Sequence, residues 1–373
     1  MRPEDDPLFR AMLADDIISM PERHALSEDT WGPEERAAVL AVLDSGRYTM
    51  GAKTAEYEAA YAAYCGTQYC VACNSGSSAN LLMVAAYTLR WGPGTVIVPA
   101  VGWATSYAPW QQYGWHLVFV DVDPDTLDYD LPRLWDAAER YEDAVIMAIN
   151  LLGNPCQYWS YPRKCHILED NCESMGAMYQ GRRTGSFGLM ASHSTYFSHH
   201  ICTGEGGMVT TSDEEMYHLL LALRSHGWTR HLPENNAFKE RPEAFRFVVP
   251  GYNLRPTDIQ SAIGIEQLKK LPGYLAQRRV NASTFPLRTQ VEPEGGKSSW
   301  YGFVVHGKDR EIVSKRCETR PVVTGNFLRQ PVIDHYDYTV FGPTRGADYL
   351  TDECLMIGNS HLPTDWGRIL WTR

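Results

Sequence analysis

The sequence predicts an α/β protein with a mainly parallel central sheet and a smaller C-terminal α+β unit. Short β-rich runs alternate with helix-like stretches from Gln68 onward, and the texture changes after Gly227. At 373 residues the chain has room for two closely associated units. The strand-like runs are residues 69–73, 95–98, 117–120, 144–148 and 166–168, with helix-like stretches at 78–90 and 131–141 between them. That βαβαβ order implies parallel neighbours, and ligands of such sheets bind beyond the carboxyl ends of the strands. A polar stretch from His231 to Arg246 leads into Gly251-Tyr-Asn and a helical segment from Pro256 to Leu271. The boundary between a large unit, 1–250, and a small one, 251–373, is placed near residue 250, and segment 1–35 receives no assignment.

Bulk properties exclude several classes. Charged residues at 21% against 44% apolar are ordinary globular usage, so a packed core is expected rather than disorder. The net charge of -11 and the lack of a basic run argue against a broad grip on nucleic acid, which needs clustered cations to displace phosphate counterions. The opening Met1-Arg-Pro-Glu-Asp-Asp lacks the plan of a secretory signal, and no apolar stretch reaches roughly 18 residues, so a cytoplasmic protein without membrane contact is expected. Nine scattered cysteines read as reduced thiols. Cys70 and Cys73 have the C-x-x-C spacing, but they lie along a strand-like stretch with no further ligand pair nearby, which disfavours a metal or redox role. Gly-x-Gly-x-x-Gly and Walker phosphate loops are absent.

Three segments have the composition of a site. Asn74-Ser-Gly-Ser-Ser-Ala79 follows a strand and opens a helix, where exposed N–H groups and the helix dipole make an anion cradle and Gly76 permits close backbone approach; a plain N-cap is the equal alternative. After the strand 166–168 come Glu169, Asp170, Asn171, Cys172 and Glu173. A carboxylate there points into the crevice and suits a pyridine nitrogen that must stay protonated, although a helix cap would use the same residue. The third segment runs from Ser194 through Tyr196-Phe-Ser-His-His-Ile to Glu205-Gly-Gly207.

Together, in this order, the three segments resemble the DegT/DnrJ/EryC1/StrS sugar aminotransferase family, from about Ser45 to the C-terminal region. The resemblance implies the fold-type-I architecture of aspartate aminotransferase and pyridoxal 5'-phosphate or pyridoxamine 5'-phosphate as cofactor. It implies a phosphate loop containing Gly76 and Ser77, a pyridine-nitrogen carboxylate at Asp170, a ring-stacking aromatic at Trp103 in Gly102-Trp-Ala-Thr105, and a phosphate-binding Ser194. Glu173 is a further cofactor candidate. Gly251-Tyr-Asn-Leu-Arg255, followed by Gln260, is similar to a family motif whose asparagine reaches the partner subunit's cofactor. Asn253 therefore implies an obligate homodimer with shared active sites.

The departure from the family is at the Schiff-base lysine, where the alignment puts His199. An imidazole cannot make the imine that a primary amine makes. The chain has eight lysines, and the nearest in sequence, Lys164 and Lys239, are far from this segment. That replacement, with Leu223-Arg-Ser-His-Gly-Trp228, Glu318-Thr-Arg-Pro321 and Gly325-Asn-Phe327, resembles the family's histidine-bearing 3-dehydratases of GDP-linked 4-keto-6-deoxy sugars in colitose-type deoxysugar biosynthesis. A second histidine-bearing branch adds an iron–sulfur cluster, which needs four placed cysteine thiolates; no compact cysteine run is present.

The resemblance implies that the cofactor sits untethered, takes an amino group from L-glutamate, and condenses with the sugar's C4 ketone. His199 then moves a proton from the cofactor's C4′ carbon and assists loss of the C3 hydroxyl. An ordinary pKa of about 6.5 suits both tasks. His200 is read as a solvent-facing or core-satisfied histidine, and a metal site joining it to His199 and His193 is disfavoured because adjacent residues on an extended chain point apart. His226, Arg230 and Arg320 are candidate substrate contacts, the last for nucleotide or glutamate, with ordinary surface charges as the alternative. Trp300 and Tyr301 line the sugar pocket or belong to the small unit's core. Competing functions are a nucleotide-sugar 4-aminotransferase and a catalytically silent binding or regulatory subunit.

Overall fold

The computed structural model describes residues 23–371, so the signal-peptide reading of residues 1–6 lies outside the described residues. In chain order, α1 (Pro33–Ser45) and α2 (Ala52–Cys65) precede β1 (Tyr69–Cys73), α3 (Gly76–Trp91), β2 (Thr95–Pro99), α4 (Ala104–Gln112), β3 (His116–Val120), α5 (Leu131–Arg140), β4 (Val145–Ile149) and β5 (Ile167–Asp170). A hairpin of β6 (Met178–Tyr179) and β7 (Arg182–Arg183) comes before β8 (Met190–Ser194), β9 (Gly207–Thr211) and α6 (Glu214–Arg224). The long α7 (Asp258–Ser283) leads into β10 (Gly296–Lys297), β11 (Gly302–His306), α8 (Arg310–Arg316), β12 (Thr319–Arg320), β13 (Tyr338–Phe341), α9 (Arg345–Glu353), β14 (Cys354–Gly358) and α10 (Trp366–Trp371).

The main sheet has eight strands in the order β1-β9-β8-β5-β4-β2-β3-β13. Its pairs from β8 to β13 are parallel, and β9 runs antiparallel to both neighbours. Because helices cover both faces, the central strands are apolar throughout: Val96, Ile97, Val98, Ile146, Met147 and Ala148 are wholly buried. The carboxyl ends of β1, β5 and β8 lie at one edge of this core and carry the polar segments singled out above.

The chain after residue 251 contributes to both layers of the fold. Strands β11, β14 and β12 form a separate antiparallel sheet, whereas β13 returns to the large sheet and pairs in parallel with β3, Tyr338 opposite Leu117. The helix expected to stop at Leu271 instead runs through Pro272 to Ser283. Proline in a helix interior costs about 3 kcal/mol, and burial of Leu271 and Leu275 on either side offsets that at roughly 1.5–3 kcal/mol each. The start of α7 is fixed by a capping box: Thr257 Oγ1 accepts from the Gln260 N–H at 3.1 Å and Gln260 Oε1 accepts from the Thr257 N–H at 2.8 Å. Among the described residues, no helix is long and apolar enough to cross a membrane.

Candidate active site

A cleft of about 280 Å³ opens at the strand ends, lined by Gly76, Ser77, Trp103, Asp170, Glu173, Ser194, His199 and Arg320 among others. Eight of the eleven predicted site residues thus converge from α3, α4, β12 and the turns after β5 and β8. The volume sits at the bottom of the range for small-molecule sites, enough for a ring with its phosphate but short of a nucleotide sugar.

At the start of α3, Ser75 is the N-cap and its Oγ accepts from the Ser78 N–H at 3.1 Å, so the plain cap exists. The same first turn lines the cleft and leaves N–H groups without intrahelical acceptors, so the cap and the anion cradle coexist. Gly76 is required by close approach: a Cβ there would lie 2.6 Å from Ser194 Cβ and 3.0 Å from Cys172 Sγ. Ser77 Oγ and Thr105 Oγ1 are 2.9 Å apart, which joins the first turns of α3 and α4.

Asp170 ends β5 and caps no helix. Its Oδ2 accepts from Asn80 Nδ2 at 2.9 Å and Ser106 Oγ at 2.6 Å, and its Oδ1 accepts from the Cys172 N–H at 3.1 Å. A carboxylate held from three directions is preorganised to face a cationic ring nitrogen. Trp103, at the head of α4, is 52% exposed and lines the cleft, so an aromatic face is open for a planar ring. Ser194 closes β8, and its Oγ accepts from the Tyr196 N–H at 3.3 Å.

His199 lies in the turn after β8 with its Nδ1 buried and without a hydrogen-bond partner. Its ring is flanked by Tyr301, centroids 5.4 Å apart, and Tyr196, 6.0 Å apart. Burial, then the Arg320 and Arg278 guanidiniums, push its pKa down to about 3. That lies below the ordinary value near 6.5 assumed from sequence and leaves the imidazole neutral at physiological pH. Among the described residues, no lysine lines the cleft.

The other two histidines are structural. His200 is fully buried with Nε2 3.2 Å from the Ser299 carbonyl oxygen, and His193 has both ring nitrogens engaged, by Tyr61 Oη and Thr210 Oγ1, each at 2.9 Å. Among the described residues, no three His, Cys, Asp or Glu side chains cluster to hold a metal. Cys70 and Cys73 lie along β1, and burial raises both thiols well above their ordinary range.

Glu173 Oε2 accepts from the Leu152 N–H at 3.1 Å, and its Oε1 lies 3.6 Å from Arg320 Nη2. Burial raises this carboxyl's pKa against the pull of Arg320. His226, Arg230 and Asn253 do not line the cleft of their own chain. They gather around Trp228: the His226 ring is 4.9 Å from it, the Arg230 guanidinium lies 4.4 Å over it, and Asn253 Oδ1 accepts from Arg255 Nε at 3.0 Å. His226 adopts a left-handed φ of 62°, a conformation few non-glycine residues take.

Sequence reading missed Asn80 and Ser106, which hold Asp170, and Cys172, Tyr196 and Ser198, which also line the cleft. A polar residue just over one turn into the largely apolar α3 is the faint signal that could have flagged Asn80; Ser106, in the first turn of the mixed α4, carries none. Tyr301 is both core and lining: 4% exposed, with its Oη 3.1 Å from Ser198 Oγ.

An anion cradle, a fixed carboxylate and an open aromatic face at one end of a mainly parallel sheet define a coenzyme-binding enzyme of the aspartate aminotransferase architecture, and these residues fit pyridoxal phosphate. The chain belongs to the DegT/DnrJ/EryC1/StrS aminotransferase family, whose model matches residues 29–344, a match that begins earlier than the Ser45 expected. It is 43% identical over 370 residues to GDP-4-keto-6-deoxy-D-mannose 3-dehydratase of Yersinia pseudotuberculosis, covering 90% of this chain and 94% of that protein. A crystal structure of a mutant form of GDP-4-keto-6-deoxymannose-3-dehydratase with bound GDP-perosamine matches with a TM-score of 0.87 and 42% identity, over 91% of this chain and 96% of that one. A crystal structure of such a dehydratase with a trapped PLP-glutamate geminal diamine matches with a TM-score of 0.86 and 42% identity, over the same shares.

Proposed function

We propose that the chain is a pyridoxal-phosphate-dependent 3-dehydratase that removes the C3 hydroxyl of a nucleotide-linked 4-keto-6-deoxy sugar, GDP-4-keto-6-deoxy-D-mannose, with L-glutamate as amino donor. The observation that carries this is a buried, neutral imidazole in a coenzyme cleft that no lysine lines. The likeness to proteins named for that reaction, over nine-tenths of the chain, supports the substrate.

When bound, the B6 coenzyme supplies an amino group for the sugar's C4 carbonyl and a conjugated ring that takes up electrons. Ser77, Ser194 and the first turn of α3 would hold its phosphate, Asp170 its ring nitrogen and Trp103 its face. His199 takes a proton at a ring nitrogen. Once protonated, in a site that disfavours positive charge, it is a strong acid that gives the proton to the departing hydroxyl. The balance closes with glutamate leaving as its 2-oxo acid, nitrogen as ammonia, and the sugar reduced by one oxygen.

The working form is a homodimer in which His226, Arg230 and Asn253 of one chain complete the cleft of the other; their absence from the lining of their own cleft and the small volume of that cleft support this reading. The nine unpaired cysteines favour a reducing compartment, the cytoplasm. The test is an assay with pyridoxal phosphate, L-glutamate and GDP-4-keto-6-deoxy-D-mannose. Ammonia and a 3-deoxy-4-keto sugar are expected, and borohydride should leave no coenzyme fixed to a lysine peptide. An amino sugar as product would make the chain an aminotransferase, and no turnover with coenzyme bound would make it a silent subunit.

A further inference from the structure

We propose that Val323 is a specificity-determining residue: its side chain meets the C6 methyl of the sugar and turns away a sugar that carries a hydroxyl there. This rests on the nucleotide-sugar reading above and adds which group on the sugar ring the cleft discriminates.

The observation that points to Val323 is its backbone. It adopts a left-handed φ of 54°, a region that a β-branched residue rarely takes and glycine takes freely. Eight non-glycine residues have a positive φ among the described residues, and Val323 alone of them lines the cleft. Strain of this kind persists only where the surroundings over-determine the chain, and here they do. The Gly325 N–H donates to the Val322 carbonyl at 2.8 Å, and Thr324 Oγ1 donates to the Gly102 carbonyl at 2.7 Å. Gln330 Nε2 donates to the Thr324 carbonyl at 3.0 Å, and the Phe327 N–H to the Ala100 carbonyl at 2.9 Å. The turn is therefore clamped to the loop that carries Trp103, and a glycine at this position would satisfy it without strain. What glycine would not supply is the isopropyl group, 5% exposed, on the cleft wall.

The surroundings of Val323 suit a methyl. Ile149 and Leu151, the other aliphatic side chains lining the cleft, come from the end of β4 and the turn after it, and Ile149 pairs with Asp170, so they belong to the coenzyme's floor. Val323 is the one aliphatic lining side chain that the small unit contributes. The polar groups nearest to it in sequence are engaged elsewhere. Thr324 Oγ1 and Gln330 Nε2 are bonded to backbone, and Arg320 is held toward Glu173, 3.6 Å away, with its guanidinium 5.8 Å over the Tyr301 ring. A hydroxyl placed against Val323 would give up its water without a new partner, whereas a methyl gains contact. On the sugar, C1 carries the nucleotide, C2 a hydroxyl, and the C3 hydroxyl and C4 carbonyl must face His199 and the coenzyme. The C6 methyl is the one apolar group left for an aliphatic wall to read.

The experiment compares two sugars on one protein. Protein loaded with pyridoxamine phosphate is titrated by calorimetry with GDP-6-deoxymannose and with GDP-mannose, which differ by the C6 hydroxyl alone and lack the C4 ketone, so neither reacts. The wild type should bind the 6-deoxy sugar about 10- to 100-fold more tightly, the scale on which an apolar pocket distinguishes a group from its hydroxylated counterpart. Val323→Thr keeps the branching and the shape but exchanges a methyl for a hydroxyl, and should bring the two affinities to within about threefold of each other. Val323→Ala should weaken the 6-deoxy sugar by about tenfold and GDP-mannose by less. A merely structural role would weaken both sugars equally. Equal affinities in the wild type, or an unchanged ratio in Val323→Thr, would overturn the assignment. If Val323→Thr does not fold, Val323→Ala carries the same comparison. Wild-type protein that binds neither sugar would count against the nucleotide-sugar reading itself, and the assignment of Val323 would fall with it.

Discussion

The cleft and the Trp228 cluster hold their polar groups in opposite ways. In the cleft, hydrogen bonds fix direction: Asp170 has three donors, and Ser77 is tied to Thr105. Around Trp228, arginines rest on aromatic faces, Arg230 at 4.4 Å and Arg255 at 5.6 Å, with Phe245 83% and Phe247 57% exposed. Stacking keeps a cation near a surface without fixing the geometry of its donors. A planar coenzyme is met by a rigid half-site, while the flexible diphosphate of a second substrate suits an adaptable one. That contrast matches the shared dimeric site proposed above, in which the cleft would supply precision at the reacting end and a neighbouring copy would lend a basic, re-packable surface.

The largest expected effect breaks the rigid half. His199→Asn should lower the rate of dehydration by roughly 10²–10⁴-fold, the usual worth of a positioned acid–base group, while coenzyme absorbance shows binding retained. Retention of the wild-type rate would remove His199 from the chemistry and with it the main support for the proposed function.

The next effect tests whether the Trp228 cluster serves a partner's cleft. Arg230→Ala should raise the KM for the nucleotide sugar by about tenfold, the loss of one charge-assisted contact, with coenzyme affinity unchanged. Mixing His199→Asn chains with Arg230→Ala chains should then yield hybrid dimers with one intact site, so activity rises above that of either variant alone. No rise on mixing, with exchange of chains verified by mass, would place Arg230 in its own chain's site or in none.

The same contrast explains what was legible in the sequence. The strand end carrying Asp170 was readable because a parallel sheet forces such positions toward the crevice, whereas Ser194 was read only from the family resemblance, since no strand was expected at 190–194. Nothing local linked Asn80 or Ser106 to Asp170, since those bonds join residues 90 and 64 positions apart. The passage of α7 through Pro272 was missed because tertiary burial on both sides overrode a local breaker, and β13 joining β3 was missed because a four-residue strand of partly exposed alternation does not announce its partner. For His199, position was legible and ionisation was not: desolvation depends on what packs around the ring, which only the fold supplies.

That desolvation gives the smallest prediction, in stability and not in rate. His193, His199 and His200 all have pKa values lowered chiefly by burial, the first two to about 3. A histidine depressed in the folded state binds its proton first in the unfolded chain, near pH 6.5, so its contribution to stability is complete above that value and is lost as pH falls toward 3. Denaturant melts between pH 7 and pH 5.5 should therefore show stability falling with pH, by up to about 1.4 kcal/mol per unit for each such histidine. His199→Asn removes one of the three, so its melts should fall less steeply by about that amount. A wild-type profile flat over this window would mean that these imidazoles are solvated, and the neutral base of the proposed mechanism would lose its physical cause.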